Sequence, residues 1–167
     1  MTQMTATPVA ILKTALGAYV DIFGNPVTVG TINPASFSPA NPTATASTTA
    51  VMMGLGTTIT VTPKSTGRLN IYLGGLIGNT TTADGASAQL ATGTGTAPAN
   101  GAAATGTLAG TIQTWTSLTG VLTATFACQA LVTGLTLNVA VWVDLQLKAV
   151  TGGSASVTGL TAIVTET

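Results

Sequence analysis

Chemistry in a protein needs nucleophiles, proton carriers or metal ligands, and this chain holds few of them. Its charged side chains are Asp21, Asp84, Asp144, Glu166, Lys13, Lys64, Arg68 and Lys148, with one thiol, Cys128, and no histidine. Without histidine a Ser-His-Asp triad and imidazole acid–base catalysis are excluded. A single cysteine with no histidine cannot supply the ligand set of a zinc site. Paired carboxylates remain an option for glycoside hydrolysis, but the four here fall in four separate segments and nothing in their spacing couples Asp84 to Asp144. The expectation is that all four are solvated or paired with nearby Lys and Arg.

Phosphate and nucleic-acid chemistry fare no better. Gly67-Arg68 lacks the Gly-x4-Gly-Lys-Ser/Thr pattern of a P-loop, and no strand–turn–helix unit surrounds the many glycines as a dinucleotide fingerprint requires. Four scattered cations at a formal net charge of zero do not make the basic patch that a nucleic acid needs. No enzyme, cofactor or metal is expected.

The residues left to consider are those that could make contacts. Lys64 and Arg68 flank the turn Pro63-Lys-Ser-Thr-Gly67, where they either solubilise a turn or form an intersubunit salt bridge. Trp142 and Asp144 share the polar face of a strand. Trp142 is either an interface aromatic, since Trp is favoured at buried contacts, or packs against an arm or a second sheet. Tyr19 and Phe23, aromatics of the N-terminal region, complete the candidate interface residues. Trp115 could stack on a sugar, but no second aromatic lies near it in the sequence. Cys128, alternating with Ala124, Phe126 and Ala130, reads as a buried thiol acting as a small hydrophobe.

The elements that position these residues are strands. Thr57–Thr62, Arg68–Leu73 and Leu122–Ala130 alternate with period two. The clearest run is Val139 to Lys148, where Val139, Val141, Val143, Leu145 and Leu147 face one way and Trp142, Asp144, Gln146 and Lys148 the other. A last strand spans Ser156 to Glu166. Such alternation marks antiparallel strands with one buried face. Gly74-Gly75, Asp84-Gly85, Asn100-Gly101 and Gly152-Gly153 read as the turns between them. Apart from a possible turn at Ile11–Leu16 no amphipathic helix is visible, so the pattern predicts an all-β sandwich, jelly roll or barrel. The low-complexity stretch Thr92 to Thr105 is either a flexible loop or a closely packed turn.

Residues 1–46 differ in texture. Six of the seven prolines precede residue 64, and Ile32 to Ser47 reads as an extended, proline-punctuated connector. A short hairpin could join Ala18–Asp21 to Val27–Val29. The division expected is an N-terminal arm, 1–46, that serves as an anchor or is a frayed tail, followed by a β domain, 47–167.

Charged residues make up 5% of the chain, where an average soluble domain has about 25%. A free monomer so poor in charge tends to associate, and assembly hides the uncharged surface. The mean hydropathy of +0.56 raises a membrane question, but every long apolar window is broken by Thr, Gly or Pro, short of the roughly 20 residues of a spanning helix. An outer-membrane barrel calls for an aromatic girdle, which two Trp, two Tyr and three Phe do not supply. The N-terminus lacks the basic start of a secretory signal, so assembly in a cytoplasm is expected.

Several stretches of the chain resemble bacteriophage virion proteins. They are Met52–Gly56, Ile59–Arg68, Thr94–Ala102, Leu131–Leu135 and Val141–Leu145, and they are similar to segments of phage head-fibre, capsid-decoration and tail-fibre tip domains. The resemblance covers roughly the last 120 of the 167 residues. It implies a jelly roll of tumour-necrosis-factor or C1q-like shape, a homotrimer, and an N-terminal part that carries attachment to the major capsid protein or another virion protein. The expected function is that of a capsid decoration or head-fibre protein, located in the virion. The alternative is a receptor-binding tip that recognises host glycans, and a third reading is a surface-layer or adhesin-like protein.

Overall fold

The computed structural model describes residues 34–167, together with two short N-terminal strands, β1 (Leu12–Lys13) and β2 (Tyr19–Val20). The chain divides into two compact units, Met1–Thr31 and Ile32–Thr167. In the first, β1 and β2 pair antiparallel. The hairpin expected across residues 22–26 lies outside the described residues.

The second unit is an all-β sandwich of antiparallel strands. These are β3 (Ala35–Phe37), β4 (Val51–Met52), β5 (Thr60–Val61), β6 (Leu69–Asn79), β7 (Gly85–Thr94), β8 (Thr107–Thr116), β9 (Thr123–Val132), β10 (Val141–Ala149) and β11 (Ala155–Glu166). One sheet has the order β4-β10-β7-β8, with β5 also pairing along β10, and the other has the order β3-β11-β6-β9. Among the described residues the one helical element is a 3-10 turn, Leu55–Thr57.

Threonine and β-branched or aromatic residues favour strands because they fit a pleated, half-buried surface. In β6, Leu69, Ile71 and Leu73 point inward and are fully buried, while Asn70 and Tyr72 between them are exposed. Their counterparts in the facing sheet are Ala88, Leu90, Val143, Leu145 and Leu147, and the two sets form one core. Cys128 lies in that core at 1% exposure, and burial pushes its thiol up to about 11, which leaves it a packing group.

The strand layout departs from the sequence expectation in two places. Gly74-Gly75 is not a turn but the middle of β6. Strand β11 has an irregular register between Thr158 and Thr161, and a Cβ on Gly75 would press on the Thr158 carbonyl at 2.6 Å. The glycine is therefore room for a bulge. Second, the compact unit begins at Ile32, within the proline-rich stretch. Ala35–Phe37 adds an edge strand to β11, Thr45 exchanges backbone hydrogen bonds with Ala155 at 2.8 Å, and Asn41 accepts from the Gly159 N–H at 2.8 Å. Proline suits an edge strand because it has no N–H to leave unpaired. Asn100-Gly101 is a turn, as read from the sequence, and the stretch around it is packed. It lies on its own chain, with the Met52 N–H donating to the Ala102 carbonyl at 2.9 Å and the Gly101 N–H to the Met52 carbonyl at 2.8 Å.

Candidate functional site

Strand β10 has no polar outer face of the kind its alternation predicts. Trp142 is 5% exposed and Asp144 0%, because residues 52–57 and 97–105 fold over that side of the sheet. The indole packs with Met52, Ala91, Ala97 and Ala102, and its Nε1 donates to the Thr94 carbonyl at 3.2 Å. A Cβ on Gly93 or Gly106 would collide with the ring, so the glycines on either side make its slot. Trp142 is thus a packing residue within the chain, and the same cover removes Asp144 from any surface.

Asp144 organises the cover. Its Oδ1 accepts from the backbone N–H of Leu55 at 3.0 Å and of Leu145 at 2.7 Å, and Oδ2 accepts from Gly54 at 3.0 Å. The carboxylate therefore fixes the start of the 3-10 turn, where Gly54 takes a φ of 74° that favours glycine. Burial pushes the Asp144 carboxyl above the ordinary range, and the N–H donors only partly offset it.

The other described carboxylates also bind backbone. Asp84, 6% exposed, accepts through Oδ1 from the N–H groups of Gly85 (2.7 Å) and Thr151 (2.8 Å) and from the Thr151 hydroxyl (2.7 Å). Its own carbonyl accepts from the N–H and hydroxyl of Ser117. Asn79 donates to the carbonyls of Gly85 and Gly152 beside it. Three connections between strands are thereby held at one end of the sandwich. Burial alone would raise the Asp84 carboxyl, but the bonds from Thr151, Gly85 and Gly152 outweigh it and the net direction is down.

Glu166 sits in the turn that the sequence singled out for its cations. The N–H groups of Ser65, Thr66 and Gly67 point at Oε1 at 2.8, 2.7 and 3.3 Å, and that of Lys64 at Oε2 at 2.8 Å. Such a nest of successive N–H groups is a natural anion cradle, here filled from within the chain. Bonds from Lys64, Thr66 and Ser65 hold the Glu166 carboxyl down at about 2. Lys64 and Arg68 are exposed at the two ends of this turn, with Lys64 Nζ 3.3 Å from Asn138 Oδ1. Tyr19 and Phe23 lie outside the residues whose side chains are described.

The candidate interface residues are therefore not gathered into one site. Trp142 and Asp144 are internal, and Lys64 and Arg68 edge a turn closed by Glu166. Among the described residues no group of three His, Cys, Asp or Glu side chains could hold a metal, and no helix is long and apolar enough to cross a membrane. Sequence reasoning missed the roles of Asp84, Asp144 and Glu166 as backbone anchors. The signal available was their rarity: a carboxylate kept in a nearly charge-free chain suggests a specific partner.

Apart from Lys64 and Arg68, what stays exposed among the described residues is uncharged. On the sheet β3-β11-β6-β9 the outward residues include Asn70, Tyr72, Leu76, Gln129, Leu131 and Ile163. At the end held by Asp84, Leu118, Val121, Leu122 and Val150 are exposed. Compared with known protein families and with curated proteins, the chain matches none.

Two outcomes test the anchors. Replacing Asp144 by Ala leaves two buried N–H groups and one half-buried one without their acceptor and is expected to cost about 3 kcal/mol of unfolding free energy, read by urea titration. Glu166 has a carboxyl lowered from 4.5 to about 2 on folding, so its contribution is present above pH 4.5 and lost as the pH falls toward 2. Wild type is expected to melt above Glu166→Gln at pH 7, with the gap closing by pH 2. A gap that stays constant with pH would contradict this assignment.

Proposed function

We propose that the protein is a structural virion component, a homotrimeric capsid decoration or head-fibre protein that binds and stabilises a phage capsid. The observation that carries the reading is the near-absence of charge on a folded sandwich. Eight charged side chains serve 167 residues, and three of the four carboxylates are engaged with the chain's own backbone. A surface so poor in charge suits permanent contact with neighbours better than life as a dilute monomer.

The strand order supports the same reading. If β4 and β5 count as one interrupted strand, the eight strands from β3 to β11 fall into the orders 1-8-3-6 and 2-7-4-5. We read this order as two interlocked Greek keys, the connectivity of a jelly roll, an architecture used by viral capsid domains among others. Fold-level likeness alone does not assign function, so the reading leans on the surface and on the resemblance of residues 47–166. Residues 1–31, a unit of their own, are assigned the docking role. Binding that requires an assembled shell stabilises the shell by mass action, and the protein's work is mechanical.

The test is co-sedimentation with capsids of the source phage prepared without this protein. The full chain is expected to pellet with capsids and a chain starting at Ile32 to remain in the supernatant while keeping its solution mass. Equal pelleting by the shortened chain would remove the docking role from residues 1–31, and failure of the full chain to pellet would remove the decoration reading.

A further inference from the structure

The two outer faces of the sandwich are treated differently by the chain. On the sheet β4-β10-β7-β8, residues 52–57 and 97–105 roof β10 and the adjoining part of β7, sealing Trp142 and Ala91, while the edge strand β8 stays open, with Leu108 and Ile112 exposed. No described residue roofs the other outer face. There Tyr72 stands between Gln129 and Ile163, and Asn70 between Leu131 and Thr165, in paired register across three strands. Tyr72, Leu76, Leu131 and Ile163 are 40%, 41%, 55% and 40% exposed.

We infer that this face, centred on β6 with β9 and β11 beside it, is where copies of the chain pack against one another. The inference rests on the self-association in the function proposed above and adds the surface that performs it. Three observations point to a second copy as the occupant. The outward positions of β6, β9 and β11 between Asn70 and Leu76 and their partners carry no charge, whereas a solvated sheet face is ordinarily polar and charged. A charged partner would have its groups desolvated against a surface with nothing to pair them. A face of the same make-up brings only amides, hydroxyls and apolar groups, which can satisfy one another, and this chain supplies such a face.

Size agrees as well. Strands of about ten residues rise about 3.3 Å per residue and lie about 4.8 Å apart, so three of them span a projected area of about 500 Å². Side-chain relief increases the accessible area, bringing it near the roughly 800 Å² per partner of a stable interface. The Tyr72 phenol lies over Gly74, where an added Cβ would meet its hydroxyl oxygen at 2.8 Å, so the ring contributes its own surface to this part of the face. Burying this face also removes the exposed apolar residues that would otherwise invite disordered association.

Charge placed on the face tests the inference. Leu131→Asp and Gln129→Lys, both at exposed positions, are made in the full chain, with Leu108→Asp and Thr114→Glu on β8 of the other sheet as controls. Folding is checked by circular dichroism and mass by light scattering. The expected result is a wild type and controls at several times the 16.3 kDa chain mass, with both face variants folded and reduced to single chains. Gln129→Lys, the milder change, carries the test if Leu131→Asp does not fold. If the face variants keep the wild-type mass, the assigned face is wrong while self-association stands; occupancy of the face by residues 1–31 of the same chain gives this result. A monomeric wild type overturns both the face and the self-association in the proposed function.

Discussion

The scarcity of charge is the constraint on which this structure turns. Proteins ordinarily keep their surfaces apart with an even coat of ionised groups, and this one has eight. The described carboxylates face inward to the backbone: Asp144 holds the 3-10 turn over β10, Asp84 gathers three connections at one end, and Glu166 fills the nest of the Lys64–Gly67 turn. Each bond is charge-assisted and so stronger than a neutral one. Rigidity of the loops and poverty of the surface follow from the same allocation of a few ionised groups.

That allocation explains how a sandwich with one cysteine, and so no internal disulfide, can hold long loops in place. Residues 97–105 contain no large apolar side chain, yet they lie on β10 because Ala97 and Ala102 fit the Trp142 ring and because Met52 donates to the Ala102 carbonyl and accepts from the Gly101 N–H. The roof is thin, built of small residues over a deep slot between Gly93 and Gly106. A sheet face covered in this way needs no neighbour. The opposite face has no such roof among the described residues.

Much of the fold was legible in the sequence where one strand face is buried and the other is wet. The alternation in Leu122–Ala130 and in Ser156–Glu166 corresponds to β9 and β11 almost residue for residue. Strand β10 was legible as a strand but not in its surroundings, since Asp144 and Gln146 look solvent-facing until the roof is placed. Strand β7 was not read at all. It is buried on both faces, with Ser87 and Ala91 as enclosed as Ala88 and Leu90, and small residues in such a strand show no period. The second half of β6 was hidden by Gly74-Gly75, whose reason lies in the bulge of β11, a long-range packing fact. Of the candidate contact residues, Lys64 and Arg68 marked a turn whose N–H groups hold Glu166, an interaction that the side-chain pattern of the sequence does not display.

In the proposed assembly the outer face of β3-β11-β6-β9 is covered by a second copy, and it is open only in the isolated chain. Hydroxyl-radical footprinting of the full-length protein in solution, resolved by residue in mass spectrometry, tests it without any substitution. Tyr72, Leu131 and Ile163 are predicted to be oxidised far more slowly than their exposure in the single chain implies, while Leu108 and Ile112, 52% and 53% exposed on β8, react at full rate. Oxidation of Tyr72 and Leu131 at the full rate that their single-chain exposure implies would contradict the account.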